Sequence, residues 1–159
     1  MFNEEGLLEA GIHNYSINEF KNNFINGFNT SQTREDIYNN TLKWLKLIRE
    51  RVTMPTEVWL DGSYVTDKIN PNDLDVVLFF DKSIFTREMY NEFVALQTEC
   101  KKYDCDAYMC FTNNNFANGQ DINNRNYWRG QFGFDRFDRP KGIIKIDGSE
   151  LINELKGVN

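Results

Sequence analysis

Val58-Trp59-Leu60-Asp61-Gly62-Ser63 is followed, ten residues beyond the serine, by Asp73-Leu74-Asp75 and then by Val76-Val77-Leu78-Phe79-Phe80. The first block reads as a buried strand entering a Gly-Ser turn. The second reads as two carboxylates at the head of another buried strand. Side chains alternate faces along a strand, so Asp73 and Asp75 share a face and can reach one cation. Paired acids beside an apolar run are unfavourable unless something positive neutralises them. Magnesium meets that need, because it takes oxygen ligands and commonly sits on one or two carboxylates plus substrate phosphates. A Gly-Ser turn joined to an Asp-x-Asp pair therefore points to a metal-bound nucleotide.

Around this centre the chain alternates helix and strand. Ile17, Phe20, Phe24, Ile25 and Phe28 recur at helical spacing, with Ser16 as the N-cap and Glu19 three residues on. Thr33 to Val52 repeats the pattern with Ile37, Leu42, Trp44, Leu45 and Ile48, and Pro55 stops it. Strands are expected at 57–61, 74–80 and 105–111, and a helix at 86–102 that buries Met89, Phe93, Leu96 and Cys100. Thr112 to Asn126, rich in Asn and holding Gly119, reads as a long loop. A short helical or irregular piece near Tyr127-Trp128, a strand Ile143-Ile144-Lys145-Ile146 and a last helix capped by Ser149 complete the chain. The fold class expected is α/β (α+β): a mixed sheet with packed helices. A chain of 159 residues suits a single domain, with N-terminal helices over 14–53, a sheet core over 56–147 and a C-terminal helix over 149–156.

The Gly62-Ser63 turn and the Asp73/Asp75 pair, with a later acidic residue, resemble the nucleotidyltransferase fold of the DNA polymerase beta superfamily. That pattern has an apolar strand ending in Gly-Ser, an Asp-x-Asp about ten residues on, and a third carboxylate among apolar residues of a later strand. Asp106, between Cys105 and Ala107, suits the third position; Asp104, two residues earlier, competes for it. The motifs span roughly residues 56 to 111. Gly11-Ile12-His13, Phe132-Gly133-Phe134-Asp135-Arg136 and Lys141-Gly142 add a fainter likeness to small bacterial and phage members of the group.

The resemblance implies magnesium, or manganese, on Asp73, Asp75 and Asp106 as catalytic ligands, and a nucleoside triphosphate as donor. Gly62 and Ser63 would hold phosphate oxygens, joined by a cation chosen from Lys68, Arg129 and Arg136. The acceptor would be a small molecule, a protein hydroxyl or an RNA end. The stretch after Phe111 leaves little room for a large acceptor domain. The acceptor site is therefore expected from the N-terminal helices, the Asn-rich loop or a partner chain, whether a second copy or another protein. A second hypothesis keeps the fold without turnover, as an antitoxin-like or anti-defence binding module of a mobile element.

Each feature also has a plainer reading. Asp73 could cap a turn after Pro71-Asn72, and Asp75 could be a surface strand residue. Arg125, Arg129, Arg136, Arg139 and Lys141 interleave with Asp135 and Asp138, which suits a solvated ion-pair network. Tyr127 and Trp128 suit either base stacking or the core, and His13, the single histidine, suits packing or the surface. A net charge of −6 argues against broad nucleic-acid binding, which needs a positive surface. Cys100, Cys105 and Cys110 fit neither a disulfide framework nor a close metal pair and read as reduced core residues, Cys105 and Cys110 on opposite faces of one strand. No apolar stretch approaches the ~20 residues that cross a bilayer, and Met-Phe-Asn-Glu-Glu lacks signal-peptide features. A cytoplasmic protein is expected.

Overall fold

The computed structural model describes residues 1–112 and 120–159, apart from the side chains of residues 120–124. Its strands are β1 (Gly11–Asn14), β2 (Glu57–Asp61), β3 (Leu74–Asp81), β4 (Cys105–Thr112) and β5 (Gly142–Asp147). Its helices are α1 (Ile17–Lys21), α2 (Arg34–Arg51), α3 (Arg87–Glu99), α4 (Gln120–Phe132) and α5 (Gly148–Lys156). The strands form one mixed sheet in the order β1-β5-β2-β3-β4. β1 pairs with β5 and β3 with β4 in parallel, while β2 is antiparallel to both of its neighbours. The chain is therefore an α/β protein with a mixed sheet.

Both faces of the sheet are covered, which is why β3 reads as a continuous apolar run rather than an alternating one. On one face Val58, Leu60, Val76, Leu78 and Phe80 pack against Phe20, Phe24, Trp44, Ile48, Phe93 and Leu151 from the helices. On the other, Trp59, Val77, Phe79, Cys110 and Ile143 meet Trp128 and Phe132 of α4. Cys105 and Cys110 fall on opposite faces, as their odd spacing requires.

Several boundaries differ from the sequence reading. Ser16 does cap α1, with a full capping box to Glu19, but after Lys21 the chain passes into a π-helical turn, Asn22–Asn26. α3 gives way to a 3-10 turn, Cys100–Tyr103. α5 begins at Gly148 after Asp147, so Ser149 lies inside its first turn rather than at the cap. The stretch expected as a loop over 112–126 is helical from Gln120 onward; residues 113–119 lie outside the described residues. α4 forms despite its polar composition because Trp128 and Phe132, one turn apart, stack at 5.5 Å and press onto Tyr108. β1 was not foreseen at all.

Candidate functional site

β2 delivers the chain to the site at Asp61. Gly62 follows with φ +79°, in the region that favours glycine, and opens a 3-10 turn, Gly62–Val65, whose Tyr64 and Val65 are buried. A β-carbon at Gly62 would strike the Asp75 carboxylate, so the turn needs glycine for its backbone angle and for space alike.

The return segment to Asp73 is held from beneath by Arg34, which is fully buried at the start of α2. Its guanidinium donates to the carbonyls of Tyr64 (2.7 Å), Thr66 (3.0 Å) and Lys68 (2.6 Å), and to that of Phe24 (3.0 Å). The ring of Phe28 lies 3.7 Å from the guanidinium carbon. The Asn70 side chain accepts from the Gln32 N–H (2.8 Å), and Thr33 donates to the Pro71 carbonyl (2.8 Å). The loop therefore reaches Asp73 on a fixed path.

Strand register then sets the carboxylates in a row. Asp61 lies opposite Asp75, and Asp75 opposite Asp106, across three neighbouring strands. Like charges directly opposite one another repel, and here they are partly desolvated. Burial, then Asp73, then Asp106 push the Asp75 carboxyl up from 3.8 to about 6. Asp61 rises to about 7, chiefly by burial; Lys141 and the Gly62 backbone pull the other way and Asp75 adds to the rise. Lys141 Nζ lies 3.0 Å from Asp61 Oδ1, although neither carboxylate oxygen has a well-aligned hydrogen bond. At the opposite end Lys101, largely exposed, stands 3.6 Å from Asp106 Oδ2. The same oxygen accepts from the Tyr108 hydroxyl (3.1 Å), and that phenol is raised to about 12, first by burial and then by this bond.

Of the two candidates for the third carboxylate, the structure brings Asp106 to the row. Asp104 precedes β4 with φ 56°, and its carboxylate accepts from Asn40 (2.8 Å). Gly62, Ser63, Lys68, Asp73, Asp75, Asp106 and Arg136 all line one cavity of about 700 Å³. Arg129 does not. It follows Trp128, which faces the sheet, so one further step of about 100° turns it toward solvent on α4. Among the plainer readings, Asp135 pairs with Arg139 (2.6 Å), Trp128 is packing and Tyr127 is exposed. His13 donates to the Glu9 carbonyl (2.6 Å), and Arg125 is engaged with Glu57, a cross-strand neighbour of Phe79 well along β2 from Asp61.

Asp61, Lys101 and Lys141 also line the cavity, and sequence reasoning had assigned them no role there. Asp61 was legible in principle, since an acid ending a buried strand needs a partner. Lys141 reaches the row only through the sheet order, whereas Lys101 stands in the turn just before the β4 residue it faces.

Asp73 and Asp75 supply oxygen donors of the kind magnesium takes. Asp75 is raised first by burial and then by its acidic neighbours, and among the described residues no cation lies at ion-pair distance from it. Among the same residues no three His, Cys, Asp or Glu side chains converge into one ligand cluster. A cation would thus rest on two carboxylates and complete its shell with phosphate or water oxygens.

A family profile described as "Family of unknown function (DUF6932)" matches residues 1–147. The chain belongs to DUF6932. No curated protein and no solved structure matches it. Every residue lining the cavity falls inside the DUF6932 span.

Proposed function

We propose that this chain is a magnesium-dependent nucleotidyltransferase that moves a nucleotide from a nucleoside triphosphate to a hydroxyl acceptor. The observation that supports it most is the meeting of Asp73, Asp75 and Asp106 with Gly62, Ser63, Lys68 and Arg136 around one cavity. Asp73 and Asp75, beside Asp106, would hold the metal, which when bound supplies positive charge that polarises the phosphoryl oxygens. Gly62 lets the backbone approach a phosphate closely, and the Ser63 hydroxyl donates to it. Lys68 and Arg136, both exposed at the cavity rim, meet the outer phosphates. Asp106 Oδ2 is occupied by Tyr108. Oδ1 is left to take the proton of the acceptor hydroxyl as its oxygen bonds to the α-phosphorus and pyrophosphate departs. The acceptor class is a small molecule, a protein hydroxyl or an RNA end, in the cytoplasm, where nucleoside triphosphates are available.

A catalytically silent binding module is favoured by one observation, that the described carboxylates do not close into a three-ligand cluster. Thermal unfolding with MgCl2 and ATP, GTP, CTP or UTP separates site from non-site. With one of them at a hundredfold excess over its Kd, the wild type should gain about 5–10 °C, and Asp73→Ala/Asp75→Ala should gain nothing. Equal shifts in both proteins would move the nucleotide to another site. Transfer of label from that nucleotide to an acceptor then distinguishes enzyme from silent binder.

A further inference from the structure

Under the nucleotidyltransferase reading the charged lining of the cavity answers to phosphates, and the nucleobase has no assigned contact. An aromatic face is the most general holder of a base, because every base has a π surface. Of the aromatic pair that the sequence offered for stacking, Trp128 is packed against Tyr108 and Phe132, and Tyr127 is exposed but does not line the cavity. Phe134 does. Among the described residues it is the one large apolar side chain that lines the cavity while standing exposed, at 45%. It belongs to neither core cluster, and its ring stacks on no other aromatic ring among the described residues.

The segment that carries Phe134 is closed into a hairpin. The Gly133 N–H donates to the Arg129 carbonyl (2.7 Å) at the end of α4, the Lys141 N–H to the Gly133 carbonyl (2.8 Å), and the Asp135 N–H to the Arg139 carbonyl (2.9 Å). Phe134 itself faces Pro140 in an antiparallel bridge. The Asp135 carboxylate accepts from the N–H groups of Phe137 and Arg139, both at 2.9 Å, and from Arg139 Nε at 2.7 Å. A ring on so braced a support loses little freedom when a ligand lands on it. Lys141, at the foot of the hairpin, meets Asp61 at 3.0 Å. The hairpin therefore rises beside the Asp61-Gly62 end of the carboxylate row, and Arg136, two residues beyond Phe134, lines the cavity with it.

We propose that Phe134 is the stacking face for the base of the nucleoside triphosphate, so that one hairpin holds the base through Phe134 and an outer phosphate through Arg136. This rests on the nucleotidyltransferase reading and adds the base to it. Stacking tolerates any base, so the contact supplies affinity rather than choice among bases.

Calorimetric titration of the full chain in MgCl2 with ATP, GTP, CTP and UTP, and with inorganic tripolyphosphate, which has phosphates and no base, separates the two parts of the site. Phe134→Ala, at an exposed position, should fold as the wild type does. It should weaken the bound nucleotides about five- to a hundredfold and leave tripolyphosphate unchanged. Phe134→Tyr should restore nucleotide affinity, whereas Phe134→Leu, apolar without a π face, should not. Phe137→Ala removes an exposed ring outside the cavity and should change neither ligand. Wild-type nucleotide affinity in Phe134→Ala, an equal loss of nucleotide and tripolyphosphate, or full recovery in Phe134→Leu would each overturn the stacking face while leaving the proposed function standing. Failure of the wild type to bind any of the four nucleotides would overturn both.

Discussion

Asp75 stands between two other carboxylates, opposite Asp61 on one strand and Asp106 on the other, with Asp73 two residues before it. Holding its carboxyl at about 6 instead of 3.8 makes the folded chain disfavour the anion, a penalty of about 1–3 kcal/mol at neutral pH. Because the folded value is the higher one, this penalty is absent below about pH 4, grows between about pH 4 and 6, and is complete above. Asp75→Asn keeps the shape and removes the charge. It should therefore unfold at higher urea than the wild type at pH 8 without divalent metal, and the gap should close as pH falls toward 4. Under the proposed nucleotidyltransferase reading, the same variant should lose several powers of ten in transfer rate, each worth about 1.4 kcal/mol of barrier. Urea midpoints across that pH range check the first statement. A stability gap that is equal at pH 4.5 and pH 8 would mean that repulsion in the row is not what Asp75 experiences.

Among the larger pieces, the loop from Gly62 to Asp73 is secured less by its own contacts than by one side chain beneath it. Arg34 donates to four backbone carbonyls and has no carboxylate at ion-pair distance among the described residues, and burial lowers it from 12.5 to about 10. Arg34→Met fills much of the same volume but leaves those carbonyls without donors. Each such loss costs about 1–3 kcal/mol when buried, and part of it is recovered by water at the loop, so a total of about 3–5 kcal/mol is expected in chemical denaturation. Hydrogen exchange of the Tyr64–Lys68 amides should rise more than that of β3, since the loop is what the guanidinium holds. This contact could not be read along the chain, and α4 only in part, as the short helical or irregular piece expected near Tyr127-Trp128. An arginine three residues before the buried Ile37 looks like any helix-start charge, and only the fold brings Phe24 and Lys68 to it. By contrast, β2, β3 and β4 were legible to within one residue, because their apolar runs are bounded by acids and turn residues. β1 was not, being four residues, Gly11-Ile12-His13-Asn14, with exposed ends and no apolar alternation. The site divides in the same way: Gly62, Ser63, Asp73, Asp75 and Asp106 follow from local pattern, whereas Lys141 depends on β5 lying beside β2.

Over the whole molecule, an acidic chain has gathered basic side chains at one mouth. The net charge is −6, yet Lys68, Lys101, Arg136 and Lys141 all border the cavity that holds the carboxylate row. Under the proposed function, a triphosphate approaching from a distance would meet weak repulsion, screened within about 10 Å at 0.1 M salt, and attraction only at the rim. Binding should therefore depend on few local charges. Lys68→Ala and Arg136→Ala should each weaken magnesium-nucleotide affinity about three- to tenfold at low salt, the range for exposed charge-assisted contacts near 1 kcal/mol. Each should also flatten the fall of affinity between 50 and 200 mM salt, because the lost contact is the screened one. Arg129→Ala should change neither, since α4 carries that side chain away from the cavity. Calorimetric titration of the nucleotide that stabilises the wild type, at the two salt concentrations, measures all three. An Arg129→Ala effect as large as that of Arg136→Ala would mean that charge at long range, and not contact at the rim, governs binding.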